Sequence, residues 1–119
     1  MLEITKIYSG KKFAIYAITV QNRCPVEEFI NTLGESEQKK VVKLLQGSAD
    51  NGLPVNEEKF KKLEKDIWEF KSHQVRILCF LDKGRIIITT HGFLKKRGRT
   101  PRSEIEKALK LYNEYFQKR

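Results

Sequence analysis

Long apolar runs and cysteine are both scarce in this sequence. No apolar run approaches the roughly 20 residues that a membrane span needs, and the start "MLEITKIYSGKK" lacks the apolar segment of a secretory signal. The two cysteines, Cys24 and Cys79, show neither CxxC spacing nor the density of a secreted disulfide scaffold. We therefore expect a cytoplasmic protein with reduced thiols. Cys79, inside the apolar run "VRILCF", is expected to be a small buried residue.

The chain has 119 residues, of which 39% are hydrophobic, and this is enough for one globular domain spanning residues 1–119. Its net charge of +9 is distributed unevenly. Residues 1–60 contain 8 Lys or Arg and 8 Asp or Glu, whereas residues 61–119 contain 16 and 7, so the second half carries the whole excess. Such an asymmetry indicates a polyanionic partner, such as a nucleic acid, an acidic protein or an anionic membrane surface.

Hydrophobic periodicity predicts an α+β domain. The expected order is a strand at 12–20, a helix at 24–34, a helix that starts with Ser36 as its cap and runs through 37–49, strands at 67–71, 75–81 and 85–91, and a helix at 100–119. The three later strands form an antiparallel meander, and residues 55–66 are read as a polar connection. For the last helix, Thr100 is a candidate cap, and a capping box from Ser103 to Glu106 is an alternative. Tyr112 and Tyr115 lie on its apolar face.

Strand pairing places distant residues side by side. If "DKG" forms a three-residue hairpin loop, Leu81 faces Arg85, Arg76 faces Thr90 and Val75 faces His91. The turn at 72–74 then returns the previous strand beside Val75 and Arg76. Three strand ends therefore meet at one edge. The residues expected there are Glu69, Lys71, His73, Arg76 and His91, with Lys95, Lys96, Arg97 and Arg99 in the loop above.

The segment "HGFLKKRGRTPR", residues 91–102, has five Lys or Arg among the eight residues from Lys95 to Arg102 and no acid. Several cations around one or two carboxylate and imidazole groups are typical of a phosphodiester site. They would hold a nucleic-acid backbone, or stabilise the charge that develops when a ribose 2′-hydroxyl attacks the adjacent phosphate. That attack needs no metal, and a metal site built from Glu69, His73, Asp82 and His91 is disfavoured by the surrounding cations. No cofactor is expected.

The motifs "WEFK", "VRILCF", "IIITTHGFLKK" and "TP" followed by "EIEKA" resemble, in this order, the RelE/HigB superfamily of bacterial toxins, and more closely its phage-derived branch. The resemblance covers roughly residues 60–110. It implies a twisted sheet with helices packed on one face and a basic concave surface on the other. It also implies a cytoplasmic ribonuclease that cleaves messenger RNA, commonly on the ribosome, and is held silent by an antitoxin.

The resemblance also implies roles for individual residues. Arg76 matches the strand arginine expected to contact the scissile phosphate, and Lys95 and Lys96 match the paired lysines that stabilise it. Lys71 and Glu69 match a basic position and the acid of the W-E motif. With His91 added from the predicted strand edge, the candidate catalytic residues are Arg76, Lys95, Lys96, Lys71, His91 and Glu69. The basic segment adds the candidate RNA-binding residues Arg97, Arg99, Arg102 and Phe93. Many relatives place a catalytic tyrosine near the C-terminus, whereas Tyr112 and Tyr115 here fit a buried face.

For each of three residues the sequence leaves two interpretations open. Arg76 has either Glu69 or a substrate phosphate as its partner. His91 is either a general acid or base or a hydrogen-bonded structural histidine. Phe93 either stacks on an unpaired base or anchors the loop, and the anchor is preferred.

The sequence therefore predicts the toxin of a type II toxin–antitoxin pair, a metal-independent messenger-RNA endonuclease whose partners are an antitoxin, messenger RNA and the ribosome. Two rivals remain, a non-catalytic module that binds nucleic acid or the ribosome and a domain that recruits an acidic protein.

Overall fold

The computed structural model describes residues 2–117. It contains six strands and three helices. In chain order they are β1 (Leu2–Ser9), β2 (Ala14–Val20), α1 (Pro25–Asn31), α2 (Glu35–Asn51), β3 (Phe60–Glu64), β4 (Ile67–Ser72), β5 (Val75–Asp82), β6 (Ile86–Leu94) and α3 (Arg102–Gln117). No helix within these residues is long and apolar enough to cross a membrane.

The strands form one mixed sheet in the order β1-β2-β6-β5-β4-β3. Strands β3 to β6 are an antiparallel meander, while β2 lies parallel to β6. The predicted α+β class is confirmed, and so is the pairing of the three later strands. The prediction of a single N-terminal strand and a three-stranded meander is wrong, because β1 and β3 extend the sheet at both edges.

Helices cover both faces of this sheet. On one face, α1 and α2 pack on a cluster that includes Ile15, Ile77 and Cys79. On the other, α3 packs on a cluster that includes Leu78 and Phe80. Alternation along β5 explains the division, because consecutive residues of a strand point to opposite faces. The expectation of helices on one face and an open basic surface on the other is therefore wrong. Burial raises the pKa of the Cys79 thiol, which is fully buried as predicted.

The helices begin and end close to the expected residues. Pro25 opens α1, where its fixed φ and missing N–H fit the first turn. Gly34, expected to end the first helix, instead precedes α2 as its cap residue, so the expected cap at Ser36 is wrong. Helix α3 begins at Arg102, and the last two residues of its predicted span, 118 and 119, lie outside the described residues.

The β5–β6 hairpin has a different register from the predicted one. Leu81 pairs with Ile87 rather than Arg85, because residues 83–85 form the loop. A bulge between Leu78 and Cys79 on one strand and His91 and Thr89 on the other adds a further residue, Thr90. Arg76 consequently pairs with Phe93, and Val75 with Leu94. The bulge also lets His91 and Phe93 both face α3.

Candidate functional site

The centre of the candidate site is a pair of charged residues on the face of the sheet that α3 covers. Arg76 on β5 and Glu69 on β4 are diagonal neighbours, since Arg76 pairs with Lys71 and Glu69 pairs with Leu78. The side chain of Arg76 is 9% exposed and that of Glu69 is 3% exposed. The Nε atom of Arg76 lies 3.9 Å from Oε1 of Glu69. That distance permits an ion pair but is too long for a hydrogen bond.

Arg76 uses one of its nitrogens on the adjacent turn. Its Nη1 donates to the carbonyl oxygens of His73, at 2.6 Å, and Val75, at 2.9 Å. His73 has a φ of 55°, in the left-handed region, and the two-residue turn His73–Gln74 returns β4 into β5. The guanidinium group thus fixes the turn that joins the two strands.

The remaining nitrogens of Arg76 make no hydrogen bond to a described residue. Its Nε is fully buried and has no hydrogen-bond acceptor, and no residue of the described 2–117 accepts from Nη2. A buried donor without a partner costs about 1–3 kcal/mol, and more when it is charged. Such a cost is commonly offset at sites where a ligand supplies the missing acceptor. An arginine fork matches phosphate oxygens well.

Glu69 has a second partner, Thr100. The Thr100 hydroxyl donates to Oε1 of Glu69 at 2.8 Å, and both side chains are buried. Thr100 was expected to cap α3, and this expectation is wrong because its side chain reaches the sheet instead. It ties the start of α3 to β4.

The segment of residues 95–101, called here the basic linker, is therefore held at both ends. At one end the Lys95 N–H donates to the Gln74 carbonyl at 2.8 Å, and at the other Thr100 bonds Glu69. Between them, Lys96, Arg97 and Arg99 are exposed. None of these three cations makes an ion pair with a described carboxylate. The linker thus starts beside the turn that Arg76 holds and presents unneutralised charge.

His91 lies on the same face but is enclosed. Its ring is 5% exposed, with Nε2 2.9 Å from Oε1 of Glu104 and Nδ1 3.0 Å from the Thr90 hydroxyl. Burial lowers the pKa of His91, the hydrogen bond to Glu104 opposes this shift, and the charge of Lys107 adds to it. The imidazole is therefore neutral near pH 7. In the neutral tautomer with its proton on Nε2, Nε2–H donates to Glu104, and Nδ1 competes with the Leu78 carbonyl, 3.3 Å from the Thr90 oxygen, for the single proton of that hydroxyl.

Phe93 packs beside His91. The two rings are 5.9 Å apart and nearly parallel, at 28°. Phe93 is partly buried against the α3 cluster, the arrangement expected of an anchor for the basic linker.

Two of the predicted basic residues have other partners. Nζ of Lys71 donates to the carbonyl of Glu57 at 3.2 Å, although its backbone pairs with Arg76 as predicted. Arg102 bonds the carboxylates of Glu64 and, at 3.3 Å, Glu106. Its charge is therefore largely neutralised in the first turn of α3, unlike that of the linker cations.

From the sequence, Thr100 and Glu104 were assigned no role in this site. Both belong to the motif "TP" followed by "EI", whose spacing brings a hydroxyl to Glu69 and a carboxylate to His91. This motif is the feature of the sequence from which the two contacts could have been predicted. Within residues 2–117 no three His, Cys, Asp or Glu side chains are grouped closely enough to hold a metal ion.

Comparisons with known proteins extend this description. A search of curated proteins finds no match. A family model described as "Phage derived protein Gp49-like (DUF891)" matches residues 28–113, which include every residue of the site described above. That family is RelE/HigB-like and associated with toxin–antitoxin systems, in agreement with the resemblance found in the motifs. The chain therefore belongs to the Gp49-like family of phage-derived proteins.

Proposed function

We propose that this protein is the toxin of a type II toxin–antitoxin system, of the phage-derived HigB-like branch, and that it cleaves messenger RNA on the ribosome without a metal ion. The observation that carries the proposal is the buried Arg76, whose Nε and Nη2 have no acceptor. A phosphate that enters beside β5 would receive a hydrogen bond from Nη2, and contact with the fully buried Nε would require the side chains that cover it to move. The family supplies independent support, because it is associated with toxin–antitoxin systems.

The proposed reaction is an in-line transfer within the RNA. The 2′-oxygen of a ribose forms a bond to the adjacent phosphorus while the bond from phosphorus to the 5′-oxygen breaks. The 2′-hydroxyl loses its proton to water, and the 5′-oxygen gains one from a lysine ammonium, which then recovers a proton from water. The products are a 2′,3′-cyclic phosphate and a 5′-hydroxyl. Negative charge grows on the non-bridging oxygens, and cations fixed beside them lower the barrier by about 3–4 kcal/mol for each good contact.

The geometry suggests a division of labour. Arg76 binds the non-bridging oxygens, because its free nitrogens are preorganised by Glu69 and by the turn carbonyls. Lys95 and Lys96 complete the charge stabilisation and protonate the leaving oxygen, since the linker begins beside the same turn. Glu69 acts through Arg76 and Thr100 rather than on the substrate.

His91 is assigned a positioning role in this proposal. Both of its ring nitrogens have partners, and only 5% of the side chain is exposed. It connects β6 to the first turn of α3 and supports Phe93, so it sets where the basic linker leaves the sheet. A histidine enclosed in this way is better suited to a positioning role than to the role of general base.

The antitoxin, in the same proposal, neutralises the basic linker with an acidic segment. Its binding would compete with RNA for Lys95, Lys96, Arg97 and Arg99.

The test compares wild type with the Lys95→Ala/Lys96→Ala variant on translating ribosomes. We expect cleavage to fall by at least about 100-fold, while ribosome affinity stays within a few-fold because most of the basic surface is retained. Expression of the wild type should arrest growth, and co-expression of the cognate antitoxin should relieve it. A wild-type protein that binds ribosomes without cutting RNA would contradict the proposal and favour a passive binding module.

A further inference from the structure

A second basic surface lies beyond the His73–Gln74 turn, on the side of the sheet that α2 covers. Here a groove of about 620 Å³ runs between α2 and the chain that leads into β3. Its ionisable wall consists of Lys40, Lys43, Glu58, Lys59, Lys71 and His73. We call it the α2 groove.

The charge of the α2 groove is strongly one-sided. Four lysines are among the residues that line it, against the single carboxylate of Glu58. None of the four forms an ion pair with a described residue. Lys71 donates to a backbone carbonyl, and Nζ of Lys40 lies 3.4 Å from Nε2 of His73. Four cations gathered around one carboxylate repel one another, so an anionic ligand would relieve this repulsion.

The rest of the groove lining is uncharged. It consists of Leu44, Gly47, Ser48, Gly52, Pro54 and Ser72, of which Ser48 is buried. The Ser48 hydroxyl already donates to the Leu44 carbonyl at 2.8 Å, so it presents no unused donor. A lining that combines apolar residues with lysines suits a ligand that has flat apolar parts and a charged backbone. Single-stranded nucleic acid has this combination.

The α2 groove is continuous with the candidate site. His73 belongs to its wall, and the carbonyl of the same residue accepts from Nη1 of Arg76. The next residue, Gln74, accepts from the Lys95 N–H at the start of the basic linker. Lys71 pairs with Arg76 across the strands and also lines the groove. One turn therefore separates the two surfaces.

We propose that the α2 groove binds nucleotides of the same RNA strand that flank the phosphate held by Arg76. The strand crosses the His73–Gln74 turn, and the backbone phosphates contact Lys40, Lys43 and Lys59. This inference rests on the proposed function for the identity of the ligand. RNA is favoured over an acidic protein segment because the groove adjoins the site assigned to RNA.

The test uses charge reversal in the groove and a matched reversal elsewhere. The groove variant is Lys40→Glu/Lys43→Glu, at exposed positions of α2. The control is Lys83→Glu/Arg85→Glu, which changes net charge equally but lies in the β5–β6 loop, at the opposite end of β5 from the turn. All four side chains are exposed, so both variants should fold, and circular dichroism checks this.

The probe is a 2′-O-methyl RNA of about 12 nucleotides, which cannot be cleaved because it lacks the 2′-hydroxyl nucleophile. Affinity is measured by fluorescence anisotropy between 50 and 200 mM salt, a range over which phosphate contacts change affinity strongly. We expect the groove variant to bind at least about 10-fold more weakly than the control. Loss of two phosphate contacts should also make the slope of log affinity against log salt concentration shallower by about 1.4.

Equal affinities of the two variants would overturn the inference. It would also be overturned if the groove variant bound RNA like the control but bound the antitoxin more weakly, since the groove would then serve the protein partner. Failure of the proposed function appears separately, as absence of cleavage of unmodified RNA by wild type. The binding comparison remains decisive in that case because it requires no cleavage.

Discussion

The Nε atom of Arg76 lies 3.9 Å from Oε1 of Glu69, while the same oxygen accepts a 2.8 Å hydrogen bond from Thr100. Thr100 therefore takes the closer position at this carboxylate oxygen, and Arg76 is left charged, buried and incompletely bonded. A fully satisfied Arg–Glu pair would serve stability and specificity alone. The incomplete pairing preserves donor capacity for a phosphate, and the proposed function depends on this point.

Thr100→Val tests the link between the basic linker and the sheet. Removing the hydroxyl leaves Oε1 of Glu69 buried without its hydrogen bond, so we expect a loss of about 1–3 kcal/mol in the free energy of unfolding. Thr5→Val, at an exposed position of β1, should change it by less than about 0.5 kcal/mol. Urea denaturation measures both variants. Equal stabilities would contradict the assigned contact.

Because of His91, we expect the free energy of unfolding to depend on pH. The pKa of His91 is lower in the folded protein than its ordinary value of about 6.5 because of burial. The unfolded chain therefore binds more protons between these two values, and stability falls as the pH drops below about 6.5. Above that pH His91 contributes no slope. His91→Gln should flatten urea stability curves between pH 5 and about 6.5, whereas an unchanged slope would show that another group is responsible.

The Glu104→Gln variant tests the contact between Glu104 and His91. Glu104 raises the pKa of His91, while burial and Lys107 lower it. Removing the carboxylate charge should move the His91 pKa further down, and NMR titration of the imidazole measures the shift. An upward shift would contradict the contact between Nε2 and Glu104.

We expect replacement of Gly92 to destabilise the protein, because the space beside it is filled by a neighbouring side chain. A Cβ atom at this position would overlap Cδ2 of Phe29 and lie 2.8 Å from Cε2, because α1 packs closely on β6. Gly92→Ala should cost about 1–3 kcal/mol. Gly47→Ala, in the middle of α2 with open space around the new methyl group, should instead stabilise by about 0.5–1 kcal/mol.

Phe29 provides the control for this prediction. If the clash causes the loss, the cost of Gly92→Ala should shrink by at least about 0.5 kcal/mol in a Phe29→Ala background. Additive effects in thermal or urea unfolding would show that the clash is not responsible.

Arg99 and Arg102 offer a matched pair for RNA binding. Arg99 is exposed in the basic linker and makes no ion pair with a described residue, whereas Arg102 bonds Glu64 and Glu106. Arg99→Gln should weaken binding of the 2′-O-methyl RNA and reduce the salt slope by about 0.7. Arg102→Gln should have the smaller effect, because its charge is already neutralised. The reverse order in anisotropy titrations would contradict this distinction.

Much of the site followed from strand alternation. The turn after β4 brings Lys71 opposite Arg76 and Glu69 diagonal to it, because residues two apart share a face. The polar motif from Thr100 to Glu104 was visible as well, but its contacts with Glu69 and His91 depend on the tertiary position of α3. Sequence spacing alone does not specify that position.

The failures have identifiable physical causes. The hairpin register was wrong because a bulge at Thr90 and a loop displaced by one residue leave no clear signature in an apolar run. Strand β3 was missed because "FKKLE" is mostly charged. It forms through pairing with β4 and through stacking of Phe60 on Trp68, with ring centroids 4.8 Å apart, which is a non-local interaction.

The most direct measurement is the effect of Arg76→Lys on the termini and rate of RNA cleavage on programmed ribosomes. Lysine keeps the charge but lacks the fork that would bind two phosphate oxygens. We predict that wild type produces ends with a 2′,3′-cyclic phosphate. We predict that Arg76→Lys, with its folding verified by circular dichroism, cuts at least about 100-fold more slowly. Cleavage by Arg76→Lys at the wild-type rate, or wild-type products with 3′-hydroxyl ends, would contradict the account.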